Sequence, residues 1–164
     1  MRKKIIIVII VLLATVAVSG CIKSPIDNIN DIIPRLSHSI ESGDANFNEA
    51  VKYSNQKKYD IAEEKIQTAS GNFLDAKNKK LEINKYDNGI NDTVYLHYLD
   101  LLEEELNLKE NAIFNMKLAI QEFKKGNKST GNSYITKTNT LISEGITVQN
   151  QRDDLVKNYP SKFK

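Results

Sequence analysis

The sequence predicts an all-α protein built from two antiparallel helical hairpins, which form either a four-helix bundle or a short superhelical stack. Apolar residues recur every three or four positions over four long segments, and strong turn signals separate these segments. No alternation of apolar and polar residues is long enough for a sheet strand. The predicted helical domain covers residues 31–158, and residues 159–164 follow it as a tail.

The first helix is predicted over residues 31–56. Because Pro34 lacks a backbone donor, we expect the regular helix to begin near Asp31, whose side chain can cap it. Residues 21–30 then form a tether, and Gly43 weakens the middle of the helix. The stripe that steps by three and four residues consists of Ile26, Ile29, Ile33, Leu36, Ile40, Gly43, Phe47, Ala50 and Ser54.

The second helix is predicted over residues 60–84. Asp60 followed by Glu63 resembles a capping box, which marks a helix start. The apolar stripe of this helix consists of Ala62, Ile66, Ala69, Phe73 and Ala76. The turn signal Asp87-Asn88-Gly89 then separates the two hairpins.

The third helix, over residues 93–125, has the clearest apolar seam, and only Lys109 interrupts it. Either the ammonium of Lys109 reaches solvent along its aliphatic stem, or it pairs with an acid of a neighbouring helix. The acidic run over residues 103–105 is expected to face solvent. The fourth helix, over residues 129–158, has a more polar stripe, in which Thr138, Gly145 and Arg152 lie in line.

The first 21 residues have the three parts of a secretory signal: the cations Arg2, Lys3 and Lys4, an apolar run, and small residues before a cut. The sequence Val18-Ser19-Gly20-Cys21 resembles the lipobox of prokaryotic lipoproteins. This resemblance implies cleavage between Gly20 and Cys21, removal of residues 1–20, and a diacylglyceryl group on the Cys21 thiol.

The chemistry of Cys21 agrees with a lipid anchor, because it is the only cysteine in the chain and has no partner for an internal disulfide. Two acyl chains hold a protein stably to a bilayer, whereas one chain holds it only marginally. An uncleaved membrane anchor is the alternative, but Ser19 and Gly20 interrupt the run of about 20 apolar residues that a spanning helix needs. The expected location is extracytoplasmic, on the cell membrane.

A second resemblance covers residues 47–79, which are similar to one tetratricopeptide unit. It rests on the small and large packing residues Ala50, Tyr53, Tyr59, Ala62, Ile66 and Ala69. Lys57-Lys58 replaces the usual Gly-Asp, and no proline ends the second helix. The resemblance implies a tetratricopeptide-like stack that binds protein or peptide on its concave face.

Composition and motifs exclude several functions. Residues 1–20 contain three of the 23 cations and none of the 21 acids, so the rest of the chain has a formal net charge of −1. This charge gives no support for nucleic-acid binding. No phosphate-binding loop, zinc-protease motif or nucleophile elbow occurs, and we predict that the protein is not an enzyme and has no catalytic residues.

The polar candidates have simple interpretations. His97, Asp100 and Glu104 share one helix face, but no Glu-x-x-His pair accompanies them, and we predict a solvated face with no metal site. Asn91 and Asn127 each begin an N-glycosylation sequon and are candidate glycan sites.

These observations predict a lipoprotein that is held to the membrane by lipid on Cys21. Its helical domain is expected to act as a non-catalytic interaction module for proteins or peptides of the cell envelope. The alternative is a lipoprotein that binds a small ligand or metal in a pocket between helices, with His97 and Lys109 pointing into a shared cavity. No cofactor is expected beyond the covalent lipid, and the oligomeric state is left open.

Overall fold

The computed structural model describes residues 23–163, so the predicted signal segment and Cys21 lie outside the described residues. Short 3₁₀ turns follow the second helix at Asp87–Gly89 and the last helix at Pro160–Lys162. Residues 23–163 contain no strand, and the prediction of an all-α fold with four helices is confirmed. The helices are α1 (Pro25–Asn55), α2 (Tyr59–Ile83), α3 (Thr93–Lys124) and α4 (Lys128–Asn158).

Helix α1 begins at Pro25, six residues before the predicted start at Asp31. Ser24 forms a capping box with Asp27, in which the Ser24 hydroxyl accepts from the Asp27 amide at 3.1 Å. Proline is well suited to the first helical position, since its missing donor would be unpaired there. The helix extends on the N-terminal side of Pro34 because Ile29 and Ile32, which lie between Pro25 and Pro34, are buried in the core. Burial of each such side chain contributes about 1.5–3 kcal/mol, which offsets one lost hydrogen bond.

Helix α2 begins without the predicted capping box, because its N-cap residue is Lys58 and no side chain caps it. Asp60 and Glu63 instead pair with Lys124 of α3, at 2.9 and 2.6 Å. The preceding turn places Lys57 at φ = 59°, the left-handed region that residues other than glycine rarely adopt. The ion pairs to Lys124 therefore connect the two hairpins at the ends where each one turns.

The helices pack mainly in sequence order: α1 on α2, α2 on α3, and α3 on α4. Helices α1 and α4 scarcely touch each other, so the assembly is open on one side. Helix α3 lies beneath this opening and supplies much of the core. The largest fully buried apolar side chains are Ile29, Leu36, Ile66, Phe73, Ile83, Tyr95, Leu99, Leu102, Leu106, Met116 and Ile120.

In the second hairpin, α3 packs closely against small residues of α4. Gly131, Thr138 and Gly145 are buried and follow one another at intervals of seven residues. The Phe123 ring of α3 lies where a side chain on Gly131 would be. The Thr138 hydroxyl donates to the Tyr134 carbonyl at 2.9 Å, so the buried polar group is satisfied within α4.

Candidate interaction groove

The opening between α1 and α4 forms a groove, which we call the α1–α4 groove. Its larger cavity, of about 400 Å³, lies near the C-terminal end of α1 and the N-terminal end of α4. Its smaller cavity, of about 200 Å³, lies nearer the middle of both helices. In the larger cavity Met116 and Phe123 of α3 line the floor, while Val51 and Ile135 contribute apolar surface from the two walls. The groove thus has an apolar base and is open to solvent.

One aromatic pair marks the end of the larger cavity. The Tyr59 ring stacks on the Phe123 ring, with 5.8 Å between centroids and 23° between planes. Tyr59 is half-buried and lines the cavity. Two other tyrosines lie outside the lining of the two cavities: the ring of Tyr53 lies beneath lysine ammonium groups of its own hairpin, and that of Tyr134 beneath Lys137.

Side-chain amides line both walls of the groove. Asn55, Asn132 and Asn139 border the larger cavity. Asn48 and Gln149 border the smaller one. An amide side chain offers both hydrogen-bond donors and an acceptor. The groove therefore combines apolar contact surface with neutral hydrogen-bonding groups, beside Lys57 in the larger cavity and the paired Asp44 and Lys109 in the smaller one.

A buried ionic cluster lies below the smaller cavity. Glu105 is fully buried, and its carboxylate lies 3.0 Å from Lys109 Nζ and 3.0 Å from an Arg152 guanidinium nitrogen of α4. The prediction that this glutamate faces solvent is wrong, because α4 covers that face of α3 and brings in Arg152. Both contacts have angles outside hydrogen-bond geometry, so they are ion pairs rather than aligned hydrogen bonds.

Lys109 takes the second of its two predicted alternatives. Its ammonium is buried and donates to Asp44 of α1 at 2.6 Å, which joins α1 to α3 beneath the groove. Its Nζ also lies 5.9 Å from the centroid of the Phe73 ring. Glu105, Asp44, Lys109 and Arg152 each carry one charge, so these four side chains are neutral as a set, and the exposed Asp153 carboxylate lies 3.6 Å from the Arg152 guanidinium. The cluster's cations are occupied within the protein, and its place in the structure is that of a support for the groove floor.

The opposite end of the molecule is filled by aromatic rings. The Phe163 ring packs on Tyr95 and Tyr98, with centroids 5.4 and 5.0 Å apart. The Tyr95 hydroxyl donates to Asn30 Oδ1 of α1 at 2.7 Å. Burial raises the pKa of the Tyr95 and Tyr98 phenols above the ordinary value of a tyrosine. This end is a packed structural contact between α1, α3 and the C-terminal turn.

The other predicted positions do not converge on a site. His97 is exposed whereas Lys109 is buried, so the structure does not bring these two into one cavity. Asp100 and Glu104 lie with His97 on the exposed surface of α3. Nowhere in residues 23–163 do three potential metal ligands cluster. Within the same part of the chain, no helix has the length and apolar character to cross a membrane.

The two sequons lie at exposed positions in the connections. Asn91 precedes α3 and is exposed. Asn127 is the N-cap residue of α4, and its side-chain Nδ2 donates to Glu122 at 2.8 Å. A glycan is attached through this same nitrogen, which keeps one of its two hydrogens after glycosylation and so retains a donor for Glu122. Glycan attachment at either residue stays a prediction.

The periodicity of the sequence alone does not predict the apolar floor or the amide-lined walls of the groove. The asparagines were visible in the sequence as polar helix positions, but nothing local indicated that those of α1 face those of α4. Compared with protein-family models, with curated proteins and with solved structures, the chain has no match.

Proposed function

We propose that this protein is a lipid-anchored surface lipoprotein whose helical domain binds a protein or peptide of the cell envelope without catalysis. The open α1–α4 groove is the observation that carries the proposal. A domain that served only as an anchored spacer would gain stability by closing α4 onto α1, because burial of apolar surface contributes about 25 cal/mol per Å². Here Tyr59, Val51 and Ile135 instead remain part of an accessible surface.

The position of the groove suits an anchored protein. Helix α1 begins four residues after Cys21, a tether of at most about 14 Å. Its 31 residues correspond to a rod of about 46 Å, and the larger cavity lies near the end of α1 that is remote from Cys21 in the sequence. A partner in the envelope could reach this end without displacing the domain from the membrane.

The alternative, a small-ligand or metal-binding lipoprotein, has less support. It requires polar ligands that converge on one cavity. His97 is exposed and Lys109 is engaged by two carboxylates, so neither is available to a ligand in the groove.

The anchor is tested by the intact mass and detergent partitioning of the native protein beside a Cys21→Ala variant. We expect a native mass that begins at Cys21 and includes a diacylglyceryl group, together with partitioning into the detergent phase. The variant should lose both properties. An unlipidated native mass that retains Met1 would contradict the lipoprotein proposal.

The interaction module is tested by a photo-crosslinking amino acid placed at Asn139 of the full-length protein in its own cells. Asn78, an exposed asparagine on α2 away from the groove, is the matched control position. We expect position 139 to yield adducts with a defined envelope protein, identified by mass spectrometry, and position 78 to yield none of them. Identical adducts at both positions, or none at position 139, would contradict the proposal.

A further inference from the structure

We infer that the end of the helical domain that follows Cys21 rests on the lipid bilayer, with the Tyr159 ring at the level of the lipid headgroups. This contact is a second attachment to the membrane, in addition to the lipid on Cys21. The inference rests on the proposed function, because it takes the anchor as given and specifies how the anchored domain meets the membrane. It follows from where three segments of the chain meet, from the exposed tyrosine that they present and from their charge.

Three segments that are far apart in the sequence form one end of the molecule, which we call the anchored end: residues 23–31, 84–92 and 159–163. A Cβ atom on Gly89 would lie 2.6 Å from Cγ of Pro25, so the α2–α3 connection packs against the start of α1. Lys162 Nζ lies 2.5 Å from Asp92 Oδ2, which joins the C-terminal turn to the same connection. The last residues of the described chain therefore lie at the same end as the first turn of α1.

The anchored end is within a short reach of Cys21. Lys23 is the first described residue, and two peptide units separate it from Cys21. The Cα atoms of these two residues are therefore at most about 7 Å apart. The headgroup layer on each side of a bilayer is itself about 5–8 Å thick. A diacylglyceryl group on Cys21 thus brings this end of the domain to the bilayer surface.

The anchored end presents an exposed tyrosine. Tyr159 is 46% exposed, and the other tyrosines of residues 23–163 are all less accessible. It takes no part in the ring contacts that pack Phe163 on Tyr95 and Tyr98. A tyrosine combines an apolar ring with a polar hydroxyl, and this combination suits the boundary between lipid and water. The side chain at this end that is best suited to the headgroup layer is therefore also accessible to it.

The charge of the anchored end indicates an apolar contact rather than an electrostatic one. Its cations are Lys23, Lys85 and Lys162, and its acids are Asp27, Asp31, Asp87 and Asp92. Three cations and four acids give a formal net charge of −1. Two of the cations are already paired, Lys23 with Asp31 and Lys162 with Asp92. Since this surface has no surplus of positive charge, the contact should form on an uncharged bilayer and should not depend on salt.

The anchor allows a weak contact to be effective. A single tyrosine would hold a free protein to a membrane only weakly, but a lipid on Cys21 makes the contact intramolecular. A short tether gives an effective concentration in the millimolar range. The contact therefore has only to orient the domain. When the anchored end is docked, α1 points away from the bilayer, and the larger cavity of the α1–α4 groove faces the envelope.

The experiment uses the full-length lipoprotein in vesicles of zwitterionic phosphatidylcholine, part of which carries a nitroxide on its headgroup. Because the Cys21 thiol is bonded to lipid, one further cysteine can carry a fluorophore that the nitroxide quenches on close approach. The cysteine replaces in turn Asn88 of the anchored end, Gln67 and Thr140 on the sides of α2 and α4, and Ser129 at the start of α4, all of which are exposed. We expect strong quenching at position 88 and little at the other three.

Two variants separate a contact made by Tyr159 from mere closeness to the tether. Tyr159→Ser removes the ring and should reduce the quenching at position 88 about twofold or more. Phe114→Ser is the matched control, because Phe114 is a 61% exposed aromatic residue of α3 outside the anchored end. It should leave the quenching at position 88 unchanged. Addition of anionic phosphatidylglycerol or of salt should also leave it unchanged.

Several results would overturn the inference. These are equal quenching at position 88 and at any of the other three positions, an unchanged value in Tyr159→Ser, and quenching that requires anionic lipid and disappears at high salt. A lipidated protein that gives adducts at position 139 but no selective quenching at position 88 would retain the proposed function and reject the docked end. An unlipidated native mass would reject the anchor and this inference together.

Discussion

A Cβ atom placed on Gly43 of α1 would lie 2.4 Å from Cε2 of Phe73 in α2. Both residues are buried, and the Phe73 ring occupies the space that any side chain at position 43 would need. The two helices of the first hairpin can therefore pack this closely only because position 43 has no side chain. Helix α1 runs through Gly43 without a break, and the residue that weakens the helix locally is the one that its packing requires.

Gly43→Ala is expected to lower the free energy of unfolding by about 1–3 kcal/mol, because the ring must move within a filled core. Urea unfolding followed by circular dichroism measures the change. Gly71 of α2 is the matched control, since a Cβ there meets no atom within 4 Å. Gly71→Ala should raise the free energy of unfolding by about 0.5–1 kcal/mol. Similar effects of the two substitutions would contradict the role of the Gly43–Phe73 contact.

The buried Glu105 carboxylate should contribute strongly to stability through its two cationic partners. Glu105→Gln leaves Lys109 and Arg152 without this charge and should lower the free energy of unfolding by about 3–5 kcal/mol. Its neighbour Glu104 is exposed, and Glu104→Gln should change the same quantity by less than about 0.5 kcal/mol. Chemical denaturation of both variants tests the difference.

Replacing the three buried members of the cluster together separates the cost of an unpaired buried charge from the stabilisation that the ion pairs contribute. When Glu105→Leu is combined with Lys109→Met and Arg152→Met, the three buried charges of the cluster are removed together. Asp44 keeps its charge but is partly exposed to solvent, so most of the lost stability should return. If the triple variant is less stable than Glu105→Gln, then the ion pairs themselves stabilise the fold, beyond neutralising one another's buried charge.

Tyr95 should make stability depend on pH in alkaline solution. Burial raises the pKa of its phenol in the folded protein, whereas the phenol of the unfolded chain ionises near pH 10. Its contribution is thus complete below about pH 10 and declines as pH rises further, by up to about 1.4 kcal/mol per pH unit. In Tyr95→Phe the decline should be shallower. Thermal unfolding between pH 8 and 11.5 measures it, and an unchanged slope would contradict the prediction.

Asp92 should contribute in the opposite direction, on the acidic side. A hydrogen bond from Lys162 and backbone bonds from Tyr95 and Val94 lower the pKa of the Asp92 carboxyl. Its contribution is therefore present above its unfolded pKa of about 4 and is lost as pH falls below that value. A carbon-13 NMR titration should show a midpoint below the ordinary aspartate value, and Lys162→Met should raise this midpoint. Equal midpoints in the two proteins would show that Lys162 has no such effect.

Much of the fold could be predicted because its causes are local. The period of three and four residues in each segment depends only on helix geometry, and Gly126-Asn127 ends α3 through the backbone freedom of glycine, whose φ is 83°. The predicted start of α1 at Asp31 is wrong because Pro34 alone does not decide it: burial of Ile29 and Ile32 holds the preceding turns in the helix. The capping signal at Asp60 was also local, but Lys124 engages its carboxylate in the folded chain.

The sequence by itself determined four amphipathic helices and their order, since side-chain periodicity and turn chemistry act within a few residues. Only the tertiary structure decided that Glu105 is buried beneath Arg152, 47 positions later in the chain, and that asparagines of α1 and α4 face each other across an open groove. These relationships depend on the register in which separate helices meet. That register is set by contacts such as Gly43 with Phe73 and Lys109 with Asp44, whose partners lie far apart in the sequence.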